Sequence, residues 1–308
     1  MSVLIVGSFI TDLIARSNIA PHPGQTVSGN SFNTYLGGKG ANQAVACKRM
    51  GSTTYMVGCL GNDVFGEAFK NFFKEEGFEV NDRMLKTTSE ASTGTSLVVI
   101  EEATGQNMIC MVPGANLKYT IDDLNEIEDL VEKSNVVVSQ AEQQEEIVDH
   151  LAYLCEKHHK RFIYNPAPAR PIKEETLRRI YVLTPNENEL GVVVGKPLIT
   201  QEDYIQASKE LISKGVENIV TTLGDKGCLF VSKDECMMIP SFKVKAIDTL
   251  GAGDSFTGSM SAMLDQGYQL KEALRIANAV GALEVTKNGG IPSMPYKEDV
   301  FNFLKENQ

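Results

Sequence analysis

Pairable cysteines are missing from this sequence. Its 308 residues include six cysteines, Cys47, Cys59, Cys110, Cys155, Cys228 and Cys236, with no CxxC spacing and no compact framework. A chain of this length builds its core without disulfides, so the thiols read as reduced and mostly buried. Histidine is scarce as well: His22, His150, His158 and His159 form no HExxH and no Cys/His spacing suited to zinc, which argues against a structural zinc site. Basic charge is in the minority, with 29 Lys and Arg against 40 Asp and Glu and a formal net charge of −11. Lys and Arg are scattered, so no basic patch is expected to hold nucleic acid or an anionic membrane surface. No apolar run approaches the length of a membrane span, about 18 residues or more. The apolar opening Met1–Ile14 has no basic leader and is interrupted by Asp12, so it reads as a first buried strand. With no Asn-x-Ser/Thr sequon, a cytoplasmic location is expected.

What is present is an ordinary globular composition, 42% hydrophobic and 22% charged. Short apolar runs alternate with helical stretches, which predicts an α/β fold with a parallel sheet built from βαβ units. The predicted strands are Val3–Val6, Thr54–Cys59, Asn135–Val138, Arg161–Tyr164, Tyr181–Leu183 and Asn218–Thr221. Helices are expected from Gly40 to Met50, closed by Gly51, and after Asp254, closed by Gly267. Two stretches break the rhythm, Gln25–Leu36 and Ser96–Val112, the second with a Thr104–Gly105 turn. Both read as antiparallel strands of a small separate sheet, a lid inserted from about residues 13–37 and 91–114 into a single domain spanning 1–308.

In such a fold ligands bind beyond the carboxyl ends of the parallel strands. Ser8 and Asp12, Gln140 and Glu142, Asn165, Asn186 and Glu189, and Thr222 with Gly224 all follow predicted strands, so polar residues gather at one edge. The strongest local signal is Asp248-Thr249-Leu250-Gly251-Ala252-Gly253-Asp254 before a helix. Glycines there let the backbone approach a ligand, and the free N–H groups of the helix start form an anion hole at Gly251, Ala252 and Gly253. Asp254, at the first helical position, is placed to take a proton from an attacking hydroxyl. Read blandly, Asp254 is an N-cap in a glycine-rich turn. A second glycine-rich turn, Gly37-Gly38-Lys39-Gly40-Ala41-Asn42-Gln43, also enters a helix and puts Asn42 in its first turn. It is not a Walker A loop, because no Ser or Thr follows Lys39. Signatures of dehydrogenases, protein kinases and serine hydrolases are missing.

At these two turns the sequence resembles the ribokinase branch of the PfkB family of sugar and nucleoside kinases, and the likeness runs from Gly7-Ser8 through Asn165–Ala169 and Thr184–Glu189 to Gly289 and Ser293. The resemblance implies a ribokinase-like three-layer sandwich with a mostly parallel, nine-stranded or similar central sheet, its β-sheet lid used for a homodimer. It implies ATP as phosphoryl donor and D-ribose as acceptor, with another sugar or nucleoside kinase, or a silent binding protein, as alternatives. Motif position assigns the sugar to Ile10, Thr11, Asp12, Gly38, Lys39, Gly40, Ala41, Asn42, Glu142 and Asp254. ATP is assigned to Asn186, Thr222, Leu223, Gly224, Asp225, Lys226, Gly227, Gly253 and Asn278. Glu189 would organise Mg2+ through water, and Asp248 and the Leu250 carbonyl, with backbone carbonyls near Glu284, Lys287, Gly289 and Ser293, would surround K+. Bacterial ribokinases usually carry Asn where this chain has Ile10, and eukaryotic members can be apolar there.

Overall fold

The computed structural model describes residues 1–307. Thirteen strands appear in chain order: β1 (Val3–Val6), β2 (Ile10–Ser17), β3 (Ser31–Gly37), β4 (Thr54–Gly61), β5 (Leu85–Thr88), β6 (Gly94–Glu101), β7 (Asn107–Val112), β8 (Val136–Gln140), β9 (Arg161–Asn165), β10 (Val182–Leu183), β11 (Asn218–Thr222), β12 (Cys228–Ser232) and β13 (Cys236–Ile239). Nine of them form the main sheet, in the order β13-β12-β11-β10-β9-β8-β1-β4-β5. Pairing is parallel from β11 across to β5, and β12 and β13 add antiparallel at one edge.

β1 reads Val-Leu-Ile-Val with no polar face because both of its faces are covered. Val3 and Ile5 join a core with Ala41, Val45, Met260 and Ala277 from helices on one side. Leu4 and Val6 point into a second core with Val148, Leu151, Leu190 and Leu211 from helices on the other. This makes the three-layer sandwich. Among the described residues no helix is long and apolar enough to cross a membrane.

The remaining four strands form a separate sheet, β3-β2-β6-β7. Its detail departs from expectation. β2 pairs parallel with β6, whereas β2–β3 and β6–β7 are antiparallel. The chain enters this sheet at Ile10, so Asp12 stands within a lid strand and not in a loop after β1. Residues 25–30 lie outside any strand, because the Pro- and Gly-containing segment before Ser31 is a connection. Sheet register then sorts the lid residues by face. Asp12 and Ser96, Ile14 and Val98 with Ile109, and Arg16 and Ile100 with Asn107 share one face, the one that looks into the cleft.

β1 and β8 are neighbours whose next strands in the main sheet lie on opposite sides, β4 beyond β1 and β9 beyond β8. That switch point is where an open α/β sheet leaves a crevice.

Candidate active site

The Lys39–Arg49 helix starts directly beyond β1. Gly38, at φ +89°, is its N-cap. A side chain on Gly40 would begin 2.4 Å from the Ser8 amide nitrogen, so only glycine lets this helix rest against the strand end. The Ala252–Asp265 helix packs beside it. Its N-cap is Gly251, in the left-handed region at φ +92°, which makes Asp254 the third helical residue, neither the first nor an N-cap. The chain enters the helix two residues earlier than the sequence pattern suggested because Ala252 and Gly253 already have helical geometry.

That offset brings Asp254 against its neighbour helix. Asn42 Nδ2 donates to Asp254 Oδ2 at 2.9 Å, and Gln43 Nε2 donates to Oδ1 at 3.0 Å. Gln43 is fixed in turn: Gln140 Nε2 donates to its Oε1 at 2.8 Å, and its own Nε2 also reaches Asn165 Oδ1 at 3.3 Å. Asn165 donates to the Thr184 carbonyl at 2.8 Å. The ends of β8 and β9 and the segment after β10 therefore hold the carboxylate in one orientation. Beside it, the N–H groups of Gly253 and Asp254 have no acceptor among the described residues, as the first turn of a helix dictates.

A cleft of about 770 Å³ opens over this floor. Asp12, Lys39, Asn186, Glu189, Thr222, Asp248, Leu250, Gly251, Gly253 and Asp254 are on its wall. Asn42 is not on that wall but donates to Asp254, and its buried Oδ1 lacks a partner among the described residues. A side chain on Gly37 would begin 2.8 Å from Asp12 Oδ2 and 3.8 Å from Asn42 Oδ1, so the two acceptors converge on the space glycine leaves. Burial raises the Asp12 carboxyl above its ordinary range, a hydrogen bond from Ser96 opposing. The charge of Asp254 holds the Lys39 ammonium above its usual range, burial pulling the other way. Glu189 caps its own helix: Asn186 N donates to Glu189 Oε2 and Glu189 N to Asn186 Oδ1, each at 2.9 Å. Burial raises its carboxyl too.

Other expected site residues lie off the wall. Ile10 is 4% exposed and packs toward Gly94, and Thr11 is fully buried, because they occupy the crossing from β1 into the lid. Glu142 sits behind the floor, accepting from Ser8 Oγ and, at 3.0 Å, from the Lys39 amide; burial raises its carboxyl. Gly38, Gly40 and Ala41 belong to the helix start and present no side chain to the cleft. Leu223, Gly224, Asp225, Lys226 and Gly227 form the turn between β11 and β12, next to the wall residue Thr222. Asn278 donates to the Ile239 and Pro240 carbonyls at 3.0 and 3.2 Å, bracing the strand end that also crowds Gly227. Around the glycine loop, Asp248 Oδ1 accepts from Leu250 N and Oδ2 from Gly289 N, both at 3.0 Å. The Glu284 carbonyl accepts from Lys287 N at 3.0 Å, and Ser293 Oγ donates to Gly290 O at 2.7 Å.

Gln43 and Arg49 brace the site without being among the residues expected there, and the lid residues Arg16, Ser96 and Asn107 line the cleft likewise unexpected. The signal for Gln43 was its place in a helix otherwise rich in buried Gly and Ala, where a buried amide needs partners. Arg49 pairs with Glu76 and donates to the Ile291 and Met294 carbonyls at 2.8 and 2.9 Å, tying the first helix to the turn that carries Ser293.

An α/β sandwich with a lidded cleft, a buried carboxylate and a glycine-capped helix start defines a small-molecule kinase. The model of the pfkB family carbohydrate kinases matches residues 1–297, and the chain belongs to that family. It is a phosphotransferase with an alcohol group as acceptor, a sugar kinase. Ribokinase of Bacillus subtilis is 37% identical over 98% of this chain and 99% of its own length. Deoxyribokinase of Salmonella typhimurium is 32% identical over the full length of both. Among solved structures, Arabidopsis thaliana ribokinase complexed with ribose and ATP superposes with a TM-score of 0.91 at 31% identity, covering 99% of this chain and 98% of that one.

Proposed function

We propose that the chain is an ATP-dependent ribokinase that phosphorylates D-ribose at O5. The observation that carries this reading is the convergence of three acceptors, Asp12, Asn42 Oδ1 and Asp254, beside the free N–H groups of Gly253 and Asp254. Clustered acceptors call for a ligand rich in hydroxyls, and unpaired N–H groups at a helix start call for an anion. The sugar hydroxyls would occupy Asp12 and Asn42, and the primary hydroxyl would face Asp254. Asp254 takes the O5 proton as O5 bonds to the γ-phosphorus; the bond from that phosphorus to the bridging oxygen breaks, and ADP leaves. The N–H groups of Gly253 and Asp254, with the helix dipole behind them, stabilise the charge on the transferred group. The names of the ribokinase relatives, and the ribose and ATP bound in the Arabidopsis structure, support the same acceptor and donor.

Glu189 and Asn186 stand on the same wall and fit Mg2+ held through water, which would neutralise phosphate charge. Asp248, the Leu250 carbonyl and Ser293 offer the hard oxygen donors a K+ ion takes, and Glu284 leaves a buried oxygen, Oε1, unpartnered beside them. The reading includes a homodimer through the lid: register places Leu13 with Leu97 and Cys110, and Ala15 with Phe32, Val99 and Met108, on the face away from the cleft. Phe32, Leu97 and Met108 are 64%, 52% and 46% exposed there, and a second copy would cover them.

Initial rates of ADP release over ribose, 2-deoxyribose, fructose and several nucleosides test the assignment. Ribose should give the highest kcat/KM; a nucleoside or 2-deoxyribose ahead of it would overturn the acceptor.

A further inference from the structure

Among the described residues, Glu284 is the one carboxylate with a buried oxygen that lacks a partner. It is 1% exposed at the end of the Leu270–Glu284 helix, directly beneath the glycine loop. Ser255 Oγ donates to its Oε2 and the Ser293 hydroxyl also acts on it, so among the described residues its hydrogen-bond neighbours are neutral hydroxyls. Its Oε1 has no partner among the described residues. That oxygen lies 2.7 Å from the point where a side chain on Gly251 would begin, and Gly290 Cα lies 3.4 Å from the same point. An oxygen with no donor therefore sits between the N-cap of the catalytic helix and the turn that carries Gly289, Gly290 and Ser293.

Leaving a carboxylate oxygen bare in such a place is costly unless a counter-charge meets it. No lysine or arginine donates to it, and the other charges of this region, Asp248 and Asp254, are of the same sign. Three carboxylates surround a loop that must receive phosphates, which are themselves anionic. Burial pushes the Glu284 carboxyl up to about 8, and a positive ion at Oε1 would hold it ionised.

We propose that the Glu284 side chain, through Oε1, is itself a ligand of the cation bound under the glycine loop, so that this site carries two carboxylates, Asp248 and Glu284. The inference rests on the cation reading given above and adds to it a side chain where only a backbone carbonyl had been assigned. A second carboxylate deepens the well for a cation and ties the ion to Ser255, hence to the first turn of the catalytic helix. Cation binding should then stabilise the free protein, without ATP or sugar. The selectivity of the site should also shift toward ions of higher charge density, because a hard dianionic oxygen set favours them.

The test is thermal unfolding of the wild type and Glu284→Gln, titrated with KCl at ionic strength held constant by tetramethylammonium chloride. The wild type should gain Tm saturably with K+, following binding to the native state. In E284Q the half-saturating K+ concentration should rise by at least about tenfold, the equivalent of losing one charged ligand. Glu284→Asp, which keeps the charge and withdraws it by one methylene, should fall between the two, and it serves if E284Q does not fold. A K+ dependence in E284Q within about twofold of wild type would overturn the role of the side chain and leave the cation site standing. No stabilisation of the wild type by K+ or Na+ beyond that of tetramethylammonium would overturn both.

Discussion

In the floor of the cleft Asn42, Gln43, Asn165 and Asp254 are buried and hydrogen-bonded to one another, whereas in the lid every residue of β7 is exposed, Ile109 and Met108 among them. The floor is held from four strand ends and two helices, so the cost of fixing its polar groups is met by the two cores around the sheet. The lid has no such support on its outer face, where Phe32, Leu97 and Met108 are exposed, and on the proposed reading a second copy would cover them. The floor is buried on both faces, whereas in the lid Thr11, Ile14 and Ser96 are buried while Phe32, Leu97 and Met108 stay exposed.

Variants that break this contrast should rank accordingly. Asp12 belongs to the lid by strand and to the acceptor cluster by place, so on the proposed reading Asp12→Ala would remove charged bonds to the sugar worth roughly 1.5–3 kcal/mol each. We expect kcat/KM for ribose to fall by about 10- to 100-fold, measured by coupled ADP release. Ile10, two residues away, is packed at the crossing into the lid, so Ile10→Asn should instead lower Tm by burying an unpaired amide, with a smaller loss in kcat/KM. The opposite ranking would mean that Ile10 faces the sugar. The smallest catalytic effect is expected from Leu97→Glu on the outer lid face. Sedimentation at micromolar concentration should show a dimer becoming a monomer while kcat stays within about threefold, since the floor is untouched. A wild type that sediments as a monomer would sink the lid interface.

Much of the floor was legible in the sequence because its devices are local. A glycine-rich turn before a helix says where a backbone will meet an anion, and the runs Val3–Val6 and Arg161–Tyr164 say where the sheet will end. Less legible were contacts set by packing across long separations. That Gln43 would grip Asp254, 211 residues later, follows from two helices lying side by side, which no spacing encodes. The lid was legible as alternation but not as pairing: β2 overlaps the end of an apolar stretch that reads as part of the first strand, so its parallel partnership with β6 was missed. Glu284 was placed at the cation site for its carbonyl, and only the fold shows its carboxylate turned under Gly251.

The claim that the floor performs the chemistry is tested most directly by single-turnover phosphoryl transfer in Asp254→Asn, at saturating ATP and ribose, with the binding of both measured by calorimetry on the same preparation. The rate should fall by about 10²–10⁴-fold, the value of a positioned general base, while ATP and ribose still bind with affinities of the wild-type order. A variant that binds both and retains more than about a tenth of the wild-type rate would contradict the assignment of Asp254 as the base.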